Sequence, residues 1–165
     1  MSSSVSSELT GSQSVVPDGA RKEFEYRGVV PASPAEVFPL LCPVREYEWI
    51  EDWSCEVQYT ASGVAERGCA FRTQLQAGES WICSRYEPER AIQYVVWLSV
   101  GWMILDGELR DRGDGTTELV WRRTFTATTD AGRQAFRAMQ PDQVASEMAA
   151  LHAKLVTFLE ERDRC

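Results

Sequence analysis

"MILDGELRDRGDGTTELVWRRTF", residues 103–125, decides the fold. Gly113-Asp114-Gly115 offers a three-residue turn between two alternating runs, a hairpin signal. Counting outward from it sets Leu109 against Leu119, Gly107 against Trp121, Leu105 against Arg123 and Met103 against Phe125. The opposite face then carries Asp106 beside Arg122 and Arg110 beside Glu118. Apolar pairs on one side and opposite charges on the other are what cross-strand energetics favour. A slip of one residue would spoil both faces at once. Arg123 falls in phase with Trp121 and Phe125, on the apolar side. A buried arginine is costly without a partner.

Working upstream, the chain reads as strands and turns. Strands are predicted near 55–60, 67–76, 79–86 and 91–98, ahead of the pair near 102–111 and 116–127. Ser62-Gly63, Ala77-Gly78, "EPER" (87–90) and Gly101 mark the turns, the spacing of consecutive antiparallel hairpins. If "EPER" is a four-residue loop, Trp81 and Cys83 lie across from Val96 and Tyr94. The turn near Val100-Gly101 leaves the facing of 91–98 open. With Leu98 opposite Met103, Tyr94 sits against Gly107, beside Trp121. One residue fewer turns Val95 and Trp97 inward instead.

Further upstream, "EFEYRGVV" (23–30) alternates as a strand. Ser33 follows as a helix N-cap, with Pro34 at the first helical position and Glu36 three residues after the cap. Val37, Phe38 and Leu41 give that helix its apolar face until Pro43 stops it. "CPVREYEWIEDW" (42–53) comes next as a second short helix or ordered loop. In a helix Trp49 and Trp53 share a face, leaving the acids to solvent. Downstream, Asp130 is expected to cap a helix over "AGRQAFRAM", and Pro141 separates it from a long amphipathic helix. The latter carries Val144, Met148, Leu151, Leu155, Phe158 and Leu159 at helical spacing, with His152 at the stripe's edge.

The totals bound the function. A chain of 165 residues is one ordinary domain, with a predicted Ser-rich tail over 1–21, a single domain over 22–161 and a short C-terminal tail over 162–165. The net charge of −8 argues against nucleic acid, which calls for a basic patch, and against anionic lipid surfaces. No run approaches the roughly 18 uninterrupted apolar residues of a membrane span, and the N-terminus has no signal-peptide pattern. The five cysteines include no CxxC spacing. That spacing disfavours zinc, and five scattered thiols fit a reducing cytoplasm. No nucleotide loop, metal cluster or serine-hydrolase elbow is visible, so no cofactor and no metal is expected.

The order of strand, two short helices, a run of antiparallel strands and one long C-terminal helix resembles the START-like helix-grip superfamily (SRPBCC), which includes polyketide-cyclase-like and pollen-allergen-like proteins. The resemblance covers roughly residues 22–161. "VVPASPAEVFPLL", "WICSRYEPERAIQYVV" and "GDGTTELVWRRTF" carry it. It implies an α+β fold, with a curved antiparallel sheet of about seven strands around the C-terminal helix and a cavity between them for a hydrophobic ligand. The fold does not specify a reaction.

The implied lining is Trp49, Trp53, Phe71, Trp81, Tyr94, Leu105, Trp121, Arg123, Phe125, Met148 and His152. Trp49 and Trp53 would cap the pocket, or simply pack their segment on the sheet. Arg123 would meet a ligand oxygen, or pair with an acid at the rim. His152, the only imidazole, is a candidate proton carrier or a core histidine bonded to a neighbouring backbone group; Tyr94 is a second catalytic candidate. The leading functional reading is cytoplasmic binding or transport of a small hydrophobic or aromatic molecule by a monomer or homodimer. A cyclase, aromatase or dehydratase acting in the same cavity is the alternative, and a protein-interaction domain with 42–53 as an exposed aromatic patch is a third.

Overall fold

The computed structural model describes residues 20–74 and 78–164. Its strands are β1 (Arg21–Val30), β2 (Cys55–Tyr59), β3 (Ala70–Thr73), β4 (Glu79–Glu87), β5 (Ala91–Leu98), β6 (Gly101–Asp111) and β7 (Thr117–Ala127). They form one antiparallel sheet in the order β1-β7-β6-β5-β4-β3-β2. Between β1 and β2 lie α1 (Pro34–Val37), a 3-10 turn over Phe38–Leu41 and a second over Glu46–Glu48; α2 (Asp130–Ala138) and α3 (Pro141–Arg162) follow β7. This is an α+β helix-grip fold, a curved antiparallel sheet with one long C-terminal helix. The predicted tail over 1–21 lies, up to residue 19, outside the described residues, and β1 begins at Arg21, two residues before the strand expected over 23–30. At the other end α3 continues to Arg162, and Cys165 lies outside the described residues.

The β6–β7 hairpin has the register its sequence dictates: Leu109 opposes Leu119, Gly107 opposes Trp121, Leu105 opposes Arg123 and Met103 opposes Phe125. Its charged face differs in detail. Arg122 stands opposite Asp106, but its guanidinium reaches Glu25 at 2.7 Å and Glu108 at 2.9 Å. The carboxylate of Asp106 accepts instead from the Gln93 amide at 2.6 Å. With β1 on the far side of β7, a two-carboxylate clasp is within reach of Arg122, and one hairpin alone could not reveal it.

The open question on β5 resolves with Leu98 opposite Gly101, so the turn holds only Ser99 and Val100. Tyr94 therefore faces Leu105, not Gly107, yet its inward phase is the one a Leu98–Met103 pairing would give. The β4–β5 loop is also shorter than expected, because Glu87 already pairs with Ala91. A bulge between Cys83 and Arg85 absorbs the difference, so Trp81 still opposes Val96 and Cys83 opposes Tyr94.

At α1, the Glu36 carboxylate accepts from the Ser33 N–H at 3.0 Å and from its hydroxyl at 2.9 Å. At α2 the cap is Thr129, whose side chain accepts from the Gly132 N–H at 3.0 Å. Asp130 is the first helical residue instead, where its charge still suits the helix dipole. Residues 49–53 are not helical: after the Glu46–Glu48 turn the backbone is irregular.

Candidate functional site

A strand points alternate side chains to the same face, and in five adjacent strands that inner phase carries large rings or aliphatics. Phe71 on β3, Trp81 on β4, Tyr94 on β5, Met103 and Leu105 on β6, and Trp121 and Arg123 on β7 border one cavity of about 430 Å³. Glu147, Ala150, Leu151 and Lys154 of α3 form its other side, and Leu41, Glu46, Ile50 and Trp53 close it. The volume falls in the range of small-molecule sites.

The rings brace one another. Phe71 stacks on Trp81 with centroids 5.4 Å apart, and Tyr94 meets both edge-on at 5.6 and 6.0 Å. Trp53 closes on Trp81 edge-to-face at 6.5 Å. Gly107 makes room for Trp121, since a Cβ there would lie 3.0 Å from the indole. The polar handles of several rings are already committed to protein. Trp81 donates to the Thr73 hydroxyl at 3.0 Å, Trp53 to the Pro43 carbonyl at 2.8 Å and Tyr94 to the Leu41 carbonyl at 3.0 Å. These rings therefore offer the cavity apolar faces and edges rather than free donors.

Of the sequence candidates, Trp53, Phe71, Trp81, Tyr94, Leu105, Trp121 and Arg123 meet around this cavity. Trp49 and Met148 border a smaller adjoining space shared with Glu46, Leu105, Trp121, Arg123 and Leu151. The Trp49 indole is buried and donates to the Leu40 carbonyl at 2.9 Å. Phe125 lies elsewhere, packed between Phe24 and Phe136.

His152 also lies elsewhere. It is buried against β1, its ring directly over Gly28, where a Cβ would approach Nε2 to 2.4 Å. Nε2 is 3.1 Å from the Val29 carbonyl. A carbonyl only accepts, so Nε2 carries the proton. Nδ1 is buried without a partner, and burial holds the imidazole pKa below its ordinary value. This is the core-histidine arrangement.

Arg123 is mostly buried at the cavity wall, with Glu147 at 3.8 Å. Burial lowers its pKa, while Glu147 and Glu79 oppose that shift; the guanidinium remains charged.

The group the sequence reading missed is Glu46. The acids of 42–53 were expected to face solvent, yet Glu46 lines the cavity. Burial alone pushes its carboxyl up to about 8. Among the described residues neither a hydrogen bond nor an ion pair reaches its carboxyl. By contrast, neighbouring Glu48 is held low by Arg45 at 2.7 Å. The only signal in sequence was position. Glu46 is three residues before Trp49, and the turn that buries the indole carries the carboxyl inward.

Of the aromatic residues expected in an exposed patch, Trp49 is buried and Trp53 half-buried, and both indoles donate to backbone carbonyls. Tyr47 remains exposed, but its hydroxyl accepts from the Cys55 N–H at 2.8 Å. The described residues hold no group of three or more His, Cys, Asp or Glu arranged for a metal ion. No described helix is long and apolar enough to cross a membrane.

No protein-family model matches the chain, and no curated protein matches it. Solved structures do match in shape. DynU16, a protein of the dynemicin biosynthetic locus, superposes with a TM-score of 0.61 at 15% identity, over 84% of this chain. The match spans 47% of DynU16, about half its length. CalU16 from Micromonospora echinospora gives 0.58 at 19% identity, covering 87% of this chain and 88% of its own. Ara h 8.0201 gives 0.58 at 15% identity, covering 86% and 97%. At such identities the likeness establishes the START-like fold.

Proposed function

We propose that this chain binds a small, largely apolar molecule in the space between its sheet and α3. The observation that carries this reading is the aromatic-walled cavity of about 430 Å³. A domain built only for stability would fill such a space, because an unfilled apolar void forfeits packing energy. Rings whose polar atoms are satisfied by protein suit a hydrophobic guest. The four described thiols are unpaired, in keeping with work in a reducing cytoplasm.

Two contacts support binding over the catalytic alternative. His152 is spent on the Val29 carbonyl. The Tyr94 hydroxyl donates to Leu41, and burial drives its pKa well above the ordinary value. A binding role needs no proton transfer from either group.

The test is native mass spectrometry on protein purified gently from its own host, before and after organic extraction, with tryptophan quenching by a panel of apolar ligands. An extractable added mass or saturable quenching is expected. Absence of both, with Ala150→Trp behaving like the parent chain throughout, would overturn the proposal.

A further inference from the structure

We infer that the ligand of this cavity carries a basic nitrogen, held as a cation by the Glu46 carboxylate among the aromatic rings. This inference rests on the binding role proposed above. The charges around the cavity point to it. Arg123, its one deeply set cation, already has Glu147 at 3.8 Å. The Glu46 carboxyl has no hydrogen bond or ion pair among the described residues, so an uncompensated acid is set into the cavity wall. Lys154, the other cation at the border, is exposed and forms no ion pair with it, so what would complete it is a positive charge from a guest. The walls favour the same guest: Trp53, Phe71, Trp81, Tyr94 and Trp121 surround the space, and aromatic faces attract cations through their quadrupole. The net charge of −8 favours approach of cations rather than anions.

Protonation agrees with this picture. With its midpoint at about 8, Glu46 is mostly protonated at pH 7, so the ligand-free chain avoids an unpaired, poorly hydrated carboxylate. An ammonium entering the site draws the carboxyl into its ionised form, and the carboxyl proton passes to the buffer. Burial raises Tyr94, Cys42 and Cys55, and Arg123 stays charged. Glu147 and Lys154 complete the charged groups bordering the cavity.

The experiment is isothermal titration at pH 8 of the full chain with 2-naphthylmethylammonium, 2-naphthylmethanol and 2-naphthoate, which share one ring system. The ammonium is expected to bind about tenfold or more tightly than the alcohol, in line with a charge-assisted contact. In Glu46→Gln that ratio is expected to fall to near one. At pH 7, titrations in buffers of different ionisation enthalpy are expected to show proton release for the ammonium in the parent chain and none in Glu46→Gln. Equal affinity for alcohol and ammonium, or strongest binding of the naphthoate, overturns the inference and leaves the binding role standing. Failure of all three probes to bind overturns both.

Discussion

On α3, Met148, His152, Leu155 and Leu159 are packed almost to zero exposure, while the adjoining stripe of Glu147, Ala150, Leu151 and Lys154 borders open space. The two stripes belong to one helix and face the same sheet. The first meets β1 and the short helices, where Gly28 gives up its side chain to seat His152. The second meets the large inward rings of β3 to β7, which hold the sheet away. Stability is thus concentrated on one side of the helix and ligand space on the other. Substitutions should separate the two properties cleanly.

The largest effect should come from the packed stripe. Leu155 is 1% exposed, so Leu155→Ala should cost about 2–5 kcal/mol in urea denaturation. Ala150→Leu, across the helix, should change stability by less than about 1 kcal/mol while cutting affinity for apolar probes about tenfold or more. Similar stability losses from both would erase the distinction.

Next comes Gly28→Ala. The new Cβ would fall 2.4 Å from His152 Nε2, and overpacking of this kind costs about 1–3 kcal/mol. A double-mutant cycle with His152→Ala should recover much of that loss; strict additivity would show that the two residues are not coupled.

On the open side the sign reverses. The folded Glu46 carboxyl keeps its proton up to about 8, whereas the unfolded chain releases it near 4.5. The unfolded state therefore binds fewer protons across this window, and stability falls as pH rises through it. Glu46→Gln should remove that slope. It should stabilise the ligand-free chain at pH 8 by about 1–3 kcal/mol, allowing for solvent at the cavity face. Thermal melts at pH 5 and pH 8 would check this, and an equal shift at both would count against a buried, ionising Glu46.

The smallest effect belongs to His152. Its pKa is held below the ordinary 6.5 by burial, so the unfolded chain takes up the proton first and stability declines as pH drops below that value. His152→Gln should flatten this acid limb in melts between pH 7 and pH 5. An unchanged limb would assign it to the carboxylates.

Much of this was legible beforehand. The β6–β7 register followed from residues that must satisfy two faces at once, Leu109 with Leu119 and Arg110 with Glu118. The inward placement of Arg123 followed from the same count. Tyr94 was not decidable, because its facing depends on whether the turn holds an even or an odd number of residues, and Ser99-Val100 carries no strong turn chemistry. Glu46 was missed for a different reason. Among four acids in one short segment, nothing local distinguishes a carboxyl turned inward from those in water. The 3-10 turn over Glu46–Glu48 makes that choice, through the burial of Trp49. His152 was expected at the edge of its stripe and is inside it, because the glycine that admits it lies 124 positions earlier in the chain.

The bulge between Cys83 and Arg85 has a consequence for how this scaffold tolerates change. In a plain hairpin, gaining or losing one loop residue inverts every side chain beyond it, and the wall formed by Trp81, Tyr94 and Val96 would turn inside out. Here an adjustable joint lies between the loop and the wall. Length changes near Pro88 can be absorbed there, so the rim can diversify while the chamber behind it keeps its shape.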